Sequence, residues 1–447
     1  MTTSKLPLLV TPIPGPKAKA IVTRSQQSLT PSLPHVYYLD AQRALDTLIE
    51  DVDGNCFLDF AAGIAVCSTG HCHPRVVEAV QKQAATLMHI CGADFYDTMY
   101  LQLAERLAGL APGDSSKRVF LGNSGAEAVE AALKLARHHT NRPQALAFLG
   151  AFHGRTLGAV SLTASKTVYH KGFGPLVGAV SHVPYAYCYR CIYNLRYPQC
   201  NLACVSFIED MLFAHTLPPE EVAAVIVEPI QGEGGYIVPP AGWLPRLQAL
   251  CNRYGILLVA DEVQSGMGRK GKMFAVEHWN VTPDILCLAK ALASGMPLSA
   301  TIASDGIMSW PPGAHGSTFG GNPVSCAAAL ATLDVIEEEG LIQNANLVGN
   351  HLIQCLRQIA EESQLIGDVR GLGLMIGVEL VKDKMTKIPA RDEMSAVVNE
   401  CFKRGLIILP CGPNSIRFSP PLTLGIAEAD TALGIFSEAI TVVEKGR

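Results

Sequence analysis

No stretch of about 18 consecutive apolar residues occurs in this 447-residue chain, so no membrane-spanning helix is expected. Residues 1–30 carry Lys5, Lys17, Lys19 and Arg24 but no uninterrupted apolar core, so no secretory leader is expected either. Charge of one sign is scarce. Charged residues make up 17% and the net charge is −5, which leaves no basic surface for nucleic acid and no like-charged tail. Internal repeats and low-complexity tracts are missing as well. What remains is the balance of a packed globular protein, 49% hydrophobic and too long for one ordinary core. Cysteine is not scarce. Fourteen are scattered along the chain, often inside apolar segments, and they read as reduced, buried thiols of a cytoplasmic protein.

The order of segments suggests an α/β fold. Residues 1–35, rich in Pro, Ser and Thr, read as an extended arm. HPRVVEAVQKQAATLMH (73–89) and NSGAEAVEAALKLARHHT (123–140) have helical spacing, the second with acidic residues early and basic residues late. ALAFLGAFHG (145–154), EVAAVIVEPIQGEGG (221–235) and ILLVADE (256–262) are strand-like, with WLPRLQALCNRYG (243–255) a helix between the last two. Nearly continuous apolar strands alternating with helices predict a mainly parallel sheet covered on both faces. In such sheets the ligand crevice lies past the strand C-termini, where His153, Glu228 and Asp261 fall. The expected domains are an arm and part of a small domain (1–75), a large domain (76–335) and a C-terminal small domain (336–447).

Two residues suggest a chemistry. Asp261 closes an apolar strand, and Lys290 lies among small residues in ILCLAKALASGM. That pair suits pyridoxal 5'-phosphate (PLP): a lysine to hold the aldehyde as a Schiff base, and a carboxylate to keep the ring nitrogen protonated so that the ring accepts electrons. A loop-capping Asp and a surface Lys would look the same one at a time. Other segments fit the pair. Asn123-Ser124-Gly125-Ala126-Glu127 opens a helix whose N–H groups suit a phosphate, or is an ordinary N-cap. Phe152 could stack on a ring and Arg155 could fork a carboxylate. Gln264 could donate to a phenolic oxygen, and Gly316–Asn322 is a hydroxyl-bearing glycine-rich loop containing Thr318. Arg417 lies on a strand-like stretch and could bind a second carboxylate.

Two segments mimic other functions. VRGLGLMIGVEL holds Gly371, Gly373 and Gly377, but the spacing is wrong for a dinucleotide loop and a β-rich run follows where a helix is required. Cys188, Cys191, Cys200 and Cys204 begin with a CxxC pair, yet the second pair is CxxxC and the gap is short for a zinc ribbon. They are read as reduced thiols of a packed aromatic loop, with no metal expected.

In order, GHCHP, NSGAEA, AFHGRT, EPIQGEGG, DEVQSGMGR, AKALASGMPLSA and STFGGNP resemble the class-III PLP-dependent aminotransferases, over nearly the whole chain from GPKA (15–18) to PPL (420–422). Within that family the chain looks most like 4-aminobutyrate aminotransferases. The resemblance implies fold type I, with a mainly parallel seven-stranded sheet in a large domain and a smaller α+β domain built from both termini. It implies Lys290 as the Schiff-base lysine, Asp261 as the pyridinium partner, Gln264 on the ring oxygen and Phe152 stacked on the ring. Gly125 and Ala126 would bind the phosphate, and Ser124, His153 and Glu228 complete the candidate cofactor set. Thr318 would reach the phosphate of a neighbouring subunit, implying a homodimer or a dimer of dimers. Arg155 would clamp the distal carboxylate of an ω-amino acid. Arg417 would take the second carboxylate of 2-oxoglutarate and be neutralised by Glu233 when that substrate is absent. Ile64 would shape the pocket. GNPVSCAAALATLDVIEEEGL and KALASGMPLSA also resemble amino-acid 2-epimerases of this family, and ornithine and acetylornithine aminotransferases share several of these positions. Arg155 and Glu233, where the epimerases tend to carry Ser and Asp, favour a transaminase. The cysteine loop belongs to neither pattern.

Overall fold

The structure, a computed structural model, describes residues 7–446. It contains two compact units, Pro74–Ile342 and a second unit that joins Met1–His73 to Gln343–Arg447. No helix among the described residues is long and apolar enough to cross a membrane.

The first unit is built on a seven-stranded sheet. Its spatial order is Lys117–Gly122, Ser299–Ser304, Ile285–Leu288, Leu257–Asp261, Val222–Val227, Gln144–Phe148, Val180–Val183. Only Ser299–Ser304 runs antiparallel to its neighbours. The three central strands, Val222–Val227, Leu257–Asp261 and Ile285–Leu288, are buried at every residue. Unbroken Val, Ile, Leu and Ala runs are what a sheet covered on both faces requires.

Helix Gly125–Thr140 turns Ala128, Val129, Ala132, Leu133 and Ala136 into the same core as Ala224, Ile226 and Val259. Its start is a capping box: Ser124 Oγ accepts from the Glu127 N–H, and the Glu127 carboxylate accepts from the Ser124 N–H. Helix Trp243–Tyr254 ends at Gly255, whose φ of 61° is left-handed.

The second unit holds two four-stranded sheets. In one, Leu406–Ile407 pairs in parallel with Cys56–Asp59, which binds the two ends of the chain into one body. In the other, Ile366–Leu372 and Met375–Leu380 form an antiparallel hairpin. The glycines of VRGLGLMIGVEL therefore serve a hairpin, not a nucleotide loop.

The N-terminal arm differs from the expected extended segment. Residues 1–6 of it lie outside the described residues, but Pro16–Ser28 is an α-helix. Pro16 occupies the first turn, where its missing N–H costs nothing. The cap comes from far along the chain: Asp53 accepts the N–H groups of Lys17 (3.0 Å) and Ala18 (2.9 Å). A local reading of residues 1–35 has no access to that carboxylate.

In this unit His71 Nε2 meets the buried Asp59 Oδ2 at 2.7 Å. Burial alone would lower the His71 pKa, but the hydrogen bonds and charges of Asp59 and Cys67 outweigh it and push it up to about 10. The folded pKa lies above the unfolded value of 6.5, so this stability is fully present below about pH 6.5 and is lost as pH rises toward 10. Thermal midpoints of the wild type should fall across that window, and those of His71→Gln should fall less. Parallel curves for the two proteins would contradict this.

Candidate functional site

The C-terminal edge of the parallel strands gathers most of the candidate residues. Val227 pairs with Ala260 and Asp261 with Cys287, so Glu228, Asp261 and Ala289-Lys290 leave three adjacent strands at one edge. Gln144–Phe148 ends on the same side and leads into Phe152 and His153.

These side chains form one buried network. His153 Nδ1 lies 2.7 Å from Asp261 Oδ2, with both side chains almost wholly enclosed. The other Asp261 oxygen accepts the Val263 N–H at 3.0 Å. Glu228 accepts the Phe152 N–H (2.9 Å) and the Gly232 N–H (2.8 Å), joining the AFHGRT loop to the QGEGG loop. Burial would take the proton from His153, but the Asp261 hydrogen bond and the charges of Asp261 and Glu228 hold its pKa above the ordinary value. Burial raises the Glu228 pKa, the nearby Asp261 adds to it, and His153 opposes both. With its pKa held up, His153 donates to Asp261 through Nδ1.

The start of helix Gly125–Thr140 lies against this network. A Cβ on Gly125 would come within 2.6 Å of Val263 Cγ1. Gly154, at φ 136°, allows the AFHGRT loop to press on the same helix, since a Cβ there would meet Ala126 Cβ at 2.7 Å. Ser124 is used in the cap, whereas the N–H groups of Gly125 and Ala126 have no acceptor among the described residues. That end can hold an anion. Buried Gln264 Oε1 likewise has no hydrogen-bond partner among the described residues.

Lys290 follows strand Ile285–Leu288 in a left-handed conformation, φ 47°. Non-glycine residues reach that region at some cost, and such outliers collect at functional sites. The residue is half-buried, unlike Lys270 in the GMGRKGK loop, which is wholly enclosed.

Arg155 is exposed. Its guanidinium lies 4.5 Å above the Tyr169 ring and 5.7 Å from the Phe152 ring centre, and the two rings meet edge to face. Glu233 sits beside them, 2.5 Å from Lys166 Nζ and 3.3 Å from Tyr169 Oη. Phe152, Arg155, Tyr169, Glu233 and Lys166 thus form one cluster. The sequence reading did not single out Tyr169 or Lys166, because SKTVYH carries no periodicity or motif that marks it.

Thr318 is exposed, while its neighbour Ser317 ties the loop to Asn123 Nδ2 at 3.1 Å. Ile64 and Arg417 belong to the second unit. Ile64 is 43% exposed at φ 67°. Arg417 is 6% exposed on strand Ser415–Phe418, paired across the sheet with Gly377.

The four loop cysteines line a common small cavity with Tyr193, Tyr185 and Pro240. Among the described residues no group of three or more His, Cys, Asp or Glu side chains is arranged to hold a metal ion.

The residues present fit PLP. A buried carboxylate closes one strand, a helix start with open N–H groups packs against the residues that follow it, and a lysine follows the adjacent strand. The comparisons agree. The "Alanine/serine racemase" of Pyrococcus horikoshii is 41% identical over 97% of this chain and 92% of its own length. The "4-aminobutyrate aminotransferase GabT" of Escherichia coli is 40% identical over 94% of this chain and 97% of its own. The crystal structure of an amine transaminase from an uncultivated Pseudomonas species, in a PLP-bound form, superposes with a TM-score of 0.86 at 36% identity, covering 93% of this chain and 98% of that one. The family model "Aminotransferase class-III" matches residues 31–440, and this chain belongs to that family: a PLP-dependent aminotransferase of fold type I.

Proposed function

We propose that the chain moves the amino group of an ω-amino acid, 4-aminobutyrate above all, to 2-oxoglutarate, giving the semialdehyde and glutamate. The observation that carries this reading is the Arg155–Tyr169–Glu233–Lys166 cluster. In it an exposed guanidinium and a carboxylate share one tyrosine, an arrangement that supports recognition of a substrate carboxylate. PLP, when bound, supplies the electron sink.

The chain's residues divide the remaining work. Gly125 and Ala126 hold the phosphate through their N–H groups, with Ser124 fixing the helix start. Phe152 would stack on the ring and Gln264 would reach its oxygen. Asp261, oriented by His153, holds the proton on the ring nitrogen, and Glu228 fixes the loop that carries Phe152 and His153. Lys290 would hold the cofactor and, as a free amine, would take up and return the proton at the substrate carbon. Arg155 clamps the distal carboxylate. The family resemblance would give Arg417 the second carboxylate of 2-oxoglutarate, Glu233 the neutralising role when that carboxylate is absent, and Ile64 a part in shaping the pocket. Thr318 contacts the phosphate of a second copy in a homodimer, or in a dimer of dimers, within the cytoplasm. Neither a nucleic acid nor a membrane is a partner.

A donor panel with 2-oxoglutarate, measured by glutamate formation, tests the substrate. Turnover with 4-aminobutyrate is expected, and 2-amino acids reacting while it stays inert would overturn the choice. Arg155→Ala should raise KM for the ω-amino acid about 30- to 100-fold, the loss of a charge-assisted pair, with a smaller change in kcat. An unchanged KM would remove Arg155 from the substrate site.

The second reading is a racemase or epimerase, favoured by the similarity to the Pyrococcus racemase. An ornithine- or acetylornithine-type transaminase is the other variant of the first. Incubating a single enantiomer without a keto acid separates the classes: lasting loss of optical rotation indicates the racemase, and none is expected here.

A further inference from the structure

The AFHGRT loop is held in two halves by different groups. Its front half is tied to the strand edge. Glu228 accepts the Phe152 N–H (2.9 Å), Thr163 Oγ1 accepts the His153 N–H (2.9 Å), and the same hydroxyl lies 3.1 Å from the Gly154 carbonyl. The rear half, from Arg155 onward, is held by Glu130, a side chain with no part in the chemistry.

Glu130 lies one turn beyond Ala126 on helix Gly125–Thr140, so the two side chains share a face. Its Oε1 takes three donors: Thr156 Oγ1 at 2.6 Å, the Gly158 N–H at 2.9 Å and the Ala159 N–H at 3.1 Å. The last two belong to the open start of helix Leu157–Leu162. A threonine just before a helix usually accepts such groups itself. Thr156 holds that position but makes no such bond, and donates its hydroxyl to Glu130 instead. The cap is borrowed from the neighbouring helix. Close approach is built in on both sides of Arg155. A Cβ on Gly158 would stand 2.2 Å from Glu130 Oε2, and one on Gly154 would stand 2.7 Å from Ala126 Cβ. The two glycines let the Arg155 segment lie against that helix at points one turn, about 6 Å, apart.

Helix stability alone would be served by a local cap, and Thr156 is placed to give one. The borrowed cap does more, because Gly125–Thr140 is the helix whose start suits the cofactor's phosphate. Among the described residues the Arg155 guanidinium makes ring contacts but no ion pair, so its backbone decides where it stands. We infer that Glu130 is a positioning residue for substrate recognition: by capping Thr156–Ala159 it fixes Arg155 at a set offset from the phosphate-binding helix start. The inference rests on the assignment of Arg155 to the substrate carboxylate. A shift of about 1 Å in a substrate-positioning group can cost up to about 100-fold. Loss of the cap should loosen Arg155 and spare the front half of the loop, and with it Phe152 and His153.

The test uses the PLP-loaded enzyme with saturating 2-oxoglutarate and 4-aminobutyrate, or the ω-amino acid that turns over in its place. Glu130→Ala should raise KM for the donor about 5- to 20-fold, with kcat changed less than about threefold and the PLP absorbance spectrum unaltered. Glu130→Gln keeps an accepting Oε1 and should stay within about twofold of wild type. If Glu130→Ala folds poorly, Thr156→Val removes one of the three bonds, keeps the side-chain shape and should raise KM about two- to fourfold. Additivity separates positioning from mere stability. In an Arg155→Ala background, Glu130→Ala should raise KM less than about twofold further, because the residue it acts through is already gone. If Arg155→Ala raises KM while Glu130→Ala and Thr156→Val leave it unchanged, the inference is overturned and the Arg155 assignment stands. The same holds if the Glu130→Ala effect multiplies in full in the double variant. If Arg155→Ala leaves KM unchanged, that assignment has failed and the inference falls with it.

Discussion

Lys290→Ala is expected to lower transamination by at least about 10⁴-fold, because one side chain serves as both cofactor anchor and proton carrier. The variant should still bind PLP through the helix start at Gly125 and the Asp261 network, but without a covalent link. Borohydride reduction followed by peptide mapping distinguishes the two lysines of the first unit that could compete for the role. Label should appear on the peptide holding Lys290 and not on the one holding Lys270. Geometry favours this outcome. Lys290 is half-buried just past the strand that pairs with Asp261, with a left-handed backbone. Lys270 is wholly enclosed. Added small amines should restore part of the lost proton transfer in Lys290→Ala. Full turnover without Lys290, or label on Lys270, would remove the assignment.

Much of this site was legible because its residues lie where local rules apply. Asp261 and Glu228 end runs of Val, Ile, Leu and Ala, and a parallel sheet places such residues at its C-terminal edge. Ser124 and Glu127 spell a capping box three residues apart, which marks the helix start at Gly125. What stayed hidden depends on long-range contact. The His153–Asp261 hydrogen bond spans 108 positions, and the Glu228–Phe152 bond spans 76. The helix Pro16–Ser28 is capped by Asp53, on a different segment. The antiparallel course of Ser299–Ser304 follows from its connection to Ile285–Leu288, because its alternating small and apolar residues suit either direction. Lys270 escaped notice for another reason. In sequence GRKGK looks like a solvated basic turn, and only the fold encloses it.

Asp261→Asn carries the other large effect, a fall in kcat of about 10²- to 10⁴-fold with PLP still bound. The amide keeps the shape and can still accept the Val263 N–H through its oxygen. It brings no negative charge, so the ring nitrogen loses the partner that raises its proton affinity. His153 loses its counter-charge at the same time. Its pKa, now held up by Asp261 and Glu228, should fall toward the value that burial alone dictates. A buried neutral imidazole in the variant should appear as a lost downfield Nδ1–H proton resonance. Turnover provides the decisive comparison. A PLP analogue methylated at the ring nitrogen carries a fixed positive charge and does not need Asp261 to keep it. That analogue should recover a measurable part of kcat in Asp261→Asn and give no gain in the wild type. If it rescues neither protein, the carboxylate acts mainly by orienting the AFHGRT loop through His153. In that case His153→Phe should reproduce the whole defect, an outcome contrary to the one expected, in which His153→Phe costs only about 10-fold because Asp261 keeps its charge.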